Sequence, residues 1–188
     1  MVNAPDGEAP LRADAARNRE RILEAAEALL TEKGAAASFD EIAKRAKVGI
    51  GTLYRRFPTR ESLLAAMSDE RLLSLSRASR ARDDTLSPAA SIHAFTTELV
   101  DHTTHYRGLA ASLGAVLKSG TPGCHASREE AERLLLRGQE AGAVRRDVSV
   151  DDLVCVITAI SLAIEQDGTG TSRTSHRVGL FLDGIVAR

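Results

Sequence analysis

The chain contains no tryptophan, two tyrosines and four phenylalanines, so aromatics make up only 3% of its 188 residues. A core with so few rings has to be filled by Ala, Leu, Ile and Val, which suits helices packed against one another. Cysteine is equally scarce. Cys124 and Cys155 fit a reducing compartment and exclude a disulfide framework. No apolar run reaches the roughly 18 residues of a membrane-spanning helix. The first eleven residues, MVNAPDGEAPL, lack the basic start and apolar stretch of a secretory signal. They read as a disordered tail, and the cytoplasm is the expected compartment. No segment shows the period-two alternation of a half-buried strand, so the expected class is all-α.

What is present is uneven. Residues 12–82 hold 15 Lys/Arg against 10 Asp/Glu, whereas residues 83–188 hold 10 against 14. A basic first part and an acidic second part suggest that only the first meets a polyanion. Helical spacing runs through both. A first helix is expected over 14–32, with Asp14 at its start and Ile22, Ala26, Leu29 and Leu30 on one side. Ser38 with Glu41 three residues on is a capping box for a short second helix. A third helix is expected from about Ile50 to Arg56. Thr59 caps a fourth that reaches the region of Arg80. Ser87 followed by Pro88 opens another. Further helices are expected near 109–117, over 127–141, after a second capping box at Ser149 and Asp152, and over 176–186, giving about nine in all.

VGIGTLYRRFPTRE, residues 48–61, poses the functional question. Its G-x-G resembles the opening of a phosphate-binding loop. A dinucleotide fingerprint would need glycine where Tyr54 stands and a strand where a capped helix stands, and no Walker-type Gly-Lys-Ser/Thr follows. Two short helices joined by Lys47, Val48 and Gly49 fit a helix-turn-helix instead. Ile42, Ala43, Ala46, Val48 and Leu53 supply its small and branched packing residues. Thr52, Tyr54 and Arg55 are candidate donors on the outer face, Lys47 adds charge at the turn, and Ile50 could meet a thymine methyl. Gly51 lets a backbone approach either a groove wall or the sister helix.

ERILEAAEALLTEKG followed by FDEIAKRAKVGIGTLYRRFPTRESLL resembles the N-terminal domain of the TetR family of transcriptional regulators, over roughly residues 17–67. EAGAVRRDVSVDDL resembles the family's link before two dimerising helices, and LFLDGIVA its last helix. The resemblance implies a DNA-binding domain over 12–58 and an effector-binding and dimerisation domain over 59–188. It implies a homodimer on a near-palindromic double-stranded DNA operator, most often a repressor released by a small-molecule effector, with no enzymatic activity and no cofactor. By position, Ser38 is expected to cap a helix and touch phosphate. Gly49 to Arg56 falls on the recognition helix, where Thr52 and Tyr54 meet backbone or bases and Leu53 is core. Arg60 falls on the usual lysine at the start of the fourth helix, where a phosphate is held. Lys47 replaces the usual glycine of the turn, Gly49 the usual serine cap, and Arg56 stands where many members have histidine. The expected DNA contacts are therefore Ser38, Lys47, Gly49, Ile50, Thr52, Tyr54, Arg55, Arg56 and Arg60, with Arg17 and Asn18 as lesser candidates. The reading from a different class is a dimeric helical small-molecule-binding or scaffold protein without operator recognition.

Other chemistry is thin. His102 and His105 are three apart beside Asp101, but two imidazoles without a third ligand do not define a metal site. Cys124 next to His125 lacks the geometry and orienting acid of a nucleophile pair. Cys155, inside LVCVITAISLAI, is expected to be buried.

Overall fold

The computed structural model describes residues 8–184 apart from 107, 168 and 169. Among these residues are nine α-helices and three single 3-10 turns, with no strand. The helices are α1 (Glu8–Lys33), α2 (Phe39–Ala46), α3 (Ile50–Arg56), α4 (Arg60–Arg80), α5 (Pro88–His105), α6 (Leu113–Leu117), α7 (Pro122–Glu140), α8 (Val150–Asp167) and α9 (Thr174–Leu182). Helices α1, α2 and α3 pack together as a head, and α4 leaves it to run against α7 and α5 in the body. Around α5 the body gathers α7, α8 and α9. Buried apolar side chains run from Ile22, Ile42 and Leu53 in the head through Leu63 and Leu72 to Phe95, Leu134 and Ile160.

Local chemistry starts these helices. Ser38 Oγ accepts from the Glu41 N–H at 3.2 Å, and the Glu41 carboxylate accepts from the Ser38 N–H at 3.0 Å. This reciprocal box satisfies donors that the two turns of α2 leave open. Thr59 with Ser62 and Ser149 with Asp152 repeat the arrangement. Ser87 caps α5 with Pro88 at the first helical position.

Three expectations need correction. α1 begins at Glu8, so residues 8–11 are helical rather than part of a tail; residues 1–7 lie outside the described residues. Asp14 consequently sits inside the helix, paired with Arg17, and is not a cap. α7 begins at Pro122, because the Thr121 hydroxyl accepts from the Cys124 N–H at 3.3 Å and proline occupies the first turn. Pro122, Gly123 and Cys124 therefore belong to the helix start, ahead of the expected residue 127. Cys155 is exposed, since α8 turns its Val150, Leu153, Ile157, Ile160 and Ile164 inward and its Cys155, Ala159, Leu162 and Ala163 outward. An apolar sequence on every side of a helix conceals which side is covered. Cys124 is fully buried, and its thiol donates to the Val116 carbonyl at 3.1 Å.

The α4–α7 seam carries the closest approach in the body. The Gly123 N–H, in the first turn of α7, donates to Asp69 Oδ1 of α4 at 2.5 Å. A Cβ at Gly123 would lie 2.2 Å from the Asp69 carbonyl oxygen, so only glycine fits. Further along, Glu130 has 0% exposure and takes bonds from Arg80 of α4 and Arg133 of its own helix. Arg133 and Arg137 both hold Asp83, and Arg137 also donates to the Asp83 and Leu86 carbonyls. Burial alone would raise the Glu130 pKa, but hydrogen bonds led by Arg133 bring it below the ordinary value.

Candidate nucleic-acid interface

The turn between α2 and α3 is closed by its backbone. The Val48 N–H donates to the Ala43 carbonyl at 3.0 Å and the Lys47 N–H to the Lys44 carbonyl at 3.2 Å, which is a Schellman closure. Lys47 sits at φ 55° and ψ 43°, the one non-glycine among the described residues with positive φ. The left-handed conformation disfavours a Cβ, and it turns the exposed lysine out at the corner of the motif. Gly49 caps α3 in extended conformation without a side-chain bond.

α3 has two unlike sides. Leu53 is fully buried against the head, while Gly51, Tyr54, Arg55 and Arg56 are exposed and Ile50 is 38% exposed. Tyr54 is 51% exposed, yet its ring stands 5.2 Å from that of Phe39 at a tilt of 49°. Phe39, which the sequence pattern did not single out, therefore fixes the tyrosine from below. Its place between the Ser38 cap and Asp40 was the only signal. Arg55 donates to Thr52 Oγ1 at 3.1 Å, which holds the guanidinium along the helix. Apart from its chain neighbours and the backbone of its own helix, nothing lies within 4 Å of a Cβ at Gly51, so its missing side chain serves no contact with the sister helix.

Asn18 and Arg19 of α1 face Thr52, Arg55 and Arg56 across an open hollow that also includes Asp14. Of the lesser candidates, Arg17 pairs with Asp14, and Asn18 receives a bond from Arg21. Ser38 is exposed at the α2 N-terminus. Its partner Glu41 is held at a pKa of about 2, chiefly by the bond from Lys33 and then by those from Ser38. Arg60 turns inward: its guanidinium donates to the Ala37 carbonyl at 2.8 Å and the Gly34 carbonyl at 3.4 Å, tying the start of α4 to the end of α1. The other expected residues share the outer surface of α3 and its turn.

In the body, α8 and α9 both expose apolar side chains: Leu180 is 62% and Phe181 48% exposed on α9, and Cys155, Ala159 and Leu162 are exposed on α8. His102 is largely buried among Arg71, His105 and Tyr106, and its pKa falls to about 4, first through burial and then through Arg71 and His105. Tyr106 reaches from α5 to Glu27 of α1 at 3.1 Å. No group of His, Cys, Asp and Glu among the described residues could hold a metal ion. No helix of the described residues is long and apolar enough to cross a membrane.

A capped two-turn helix, a tight left-handed corner and a second short helix with an outward basic face define a helix-turn-helix regulator of transcription. Residues 22–67 match the model of bacterial regulatory proteins of the tetR family, and residues 87–187 match the C-terminal domain of SbtR-like transcriptional regulators. The chain belongs to the TetR family, with a DNA-binding head and a C-terminal ligand-binding domain. It is 31% identical to the TetR transcriptional regulator SCO0520 of Streptomyces coelicolor, covering 90% of this chain and 98% of that one at a TM-score of 0.55. RolR in complex with resorcinol is 24% identical, with 94% and 91% covered and a TM-score of 0.67. FadR of Bacillus subtilis in complex with stearoyl-CoA is 16% identical, with 88% and 98% covered and a TM-score of 0.61. These last two likenesses are of fold alone. No curated protein matches the chain.

Proposed function

We propose that the chain is a cytoplasmic, non-enzymatic repressor that binds a near-palindromic operator as a two-fold dimer and leaves it when a small molecule occupies the body. The observation that carries this reading is the outer surface of α3, where Tyr54, Arg55, Arg56 and the cornered Lys47 stand exposed while Leu53 anchors the helix. Lys47, Arg55 and Arg56 would neutralise phosphates or reach guanine edges, Thr52 and Tyr54 would meet backbone or bases, and Ile50 a thymine methyl. Ser38 and Gly49 would approach phosphate at the starts of α2 and α3. Arg60 would act by holding α4 to the head, with its charge felt only at a distance.

The head would comprise residues 12–58 and the body 59–188, with α4 belonging mechanically to both. The exposed faces of α8 and α9 would pair with their copies, placing two α3 helices in successive major grooves roughly 34–36 Å apart. A ligand that favours another head separation would then lower operator affinity.

Selection of operator sequences from random DNA by the full-length protein tests the proposal. The expected product is a near-palindrome whose affinity falls steeply with salt. Selection of no common sequence, with Tyr54→Ala indistinguishable from the parent, would refute it and favour a binding protein without operator recognition.

A further inference from the structure

An apolar cleft opens between α5, α7 and α8, lined chiefly by Phe95, Leu99, Ala131, Leu153 and Ile157. One neutral hydroxyl in its wall has no role in the fold. Ser127 is 3% exposed, and its Oγ has no hydrogen-bond partner. It does not turn back onto the carbonyl one turn earlier, as Thr103 and Thr104 do on α5. A buried hydroxyl left unpaired is a standing cost that a ligand group can remove. The charged residue bordering the cleft, Arg128, is already shared between Glu132 and Asp151, each at 3.3 Å. Two carboxylates against one guanidinium disfavour an anion at this rim. The lining contains no acidic side chain for a cation. The free volume inside is about 20 Å³, close to the room of one water.

We infer that this cleft takes an uncharged, mainly apolar small molecule with one hydrogen-bonding group that meets Ser127 Oγ, and that its entry wedges α7 away from α5 and α8. The inference rests on the reading of the chain as an effector-released regulator. A molecule larger than water has to move a wall, because the free volume of the cleft is only about 20 Å³. α4 runs against both α5 and α7, but α7 is the wall that meets it backbone to backbone. Its first turn is locked to Asp69 of α4 through Gly123, and its middle to Arg80 through Glu130. Movement of α7 therefore carries α4.

The test uses full-length protein with methyl-labelled Ile, Leu and Val, titrated by NMR with three probes: 3-phenylpropan-1-ol, n-propylbenzene and 3-phenylpropanoate. The alcohol should shift the methyls of Leu99, Leu153 and Ile157 and bind about 3- to 10-fold more tightly than the hydrocarbon, the gain of one hydrogen bond. The carboxylate should bind most weakly. Ser127→Ala removes a hydroxyl that bonds to nothing, so it should fold with undiminished stability and bring the alcohol down to the hydrocarbon's affinity. Absence of shifts at these methyls, tightest binding by the carboxylate, or an unchanged ratio in Ser127→Ala would each overturn the inference. Operator binding measured in the same titrations separates the two readings. Occupancy of the cleft without loss of DNA affinity overturns the wedge and counts against effector release. An empty cleft with DNA released by a different molecule overturns the cleft alone.

Discussion

On α3 and its turn, Lys47, Arg55 and Arg56 are exposed, and Arg55 donates to the neutral Thr52 hydroxyl. On α7, Arg133 and Arg137 are half-buried and committed to Glu130, Asp83 and the carbonyls of the link that follows α4. The same side chain serves opposite purposes in head and body, and the difference lies in the supply of carboxylates. The body has an acid for its arginines at the seam, so their charge is consumed in holding α4 to α7. The outer face of α3 has no acid of its own, so its charge remains for something outside the chain.

The largest expected effect comes from erasing the head's side of this contrast. The triple variant Lys47→Ala, Arg55→Ala, Arg56→Ala should lose about 100-fold or more in operator affinity, and the salt dependence should flatten by roughly two to three in slope. Its thermal stability should remain near the parent's, since the three side chains are exposed. Calorimetry showing a large loss of stability would mean that these cations are structural after all. The body's side breaks differently. Glu130→Ala strands Arg80 and leaves Arg133 with Asp83 alone, and should cost about 2–3 kcal/mol, lowering the melting temperature by roughly 5–10 °C while the contacts of α3 are untouched.

A smaller effect divides one residue between stability and binding. Lys47→Gly relieves a left-handed lysine and should stabilise the fold by about 1 kcal/mol. The same change should weaken operator binding several-fold and lower the salt slope by about one. Paired denaturation and DNA titrations would show the two moving in opposite directions. The smallest effect is in pH. His102 has a folded pKa of about 4 against an ordinary 6.5, so it favours the folded state fully above pH 6.5 and loses that contribution as pH falls towards 4. Between pH 8 and 6 the loss should be under about 1 kcal/mol. Thermal melts of His102→Gln should be flatter over this interval. Glu41, depressed to about 2, loses its own contribution only below its ordinary 4.5 and so leaves this window clear.

Helix starts were the most legible feature in the sequence, because a cap is a relation between residues three apart. The boxes at Ser38, Thr59 and Ser149 all start helices where expected, and α3 occupies Ile50 to Arg56 as its pattern implied. Thr121 and Pro122 carry an equally local signal, which the expected start at residue 127 passes over. What stayed hidden depended on packing between distant segments. Arg60 falls on a phosphate-holding position of the family, and no local pattern encodes the bonds by which its guanidinium holds the Gly34 and Ala37 carbonyls. Cys155 and Ile157 are both apolar, two apart on one helix, and only the placement of α5 and α9 decides which is covered. Within the candidate interface, the residue types were legible and the support was not: Phe39 beneath Tyr54 needs the fold to be seen.

The contact at Gly123 has one further consequence. Where a methyl group would sit, α4 presents its own backbone, so the seam has no slack of even one carbon atom. In mechanical terms it is a joint without backlash. Loosely packed helices absorb small displacements by repacking their side chains, but two backbones in direct contact cannot. A shift of the first turn of α7 therefore cannot be absorbed at this contact.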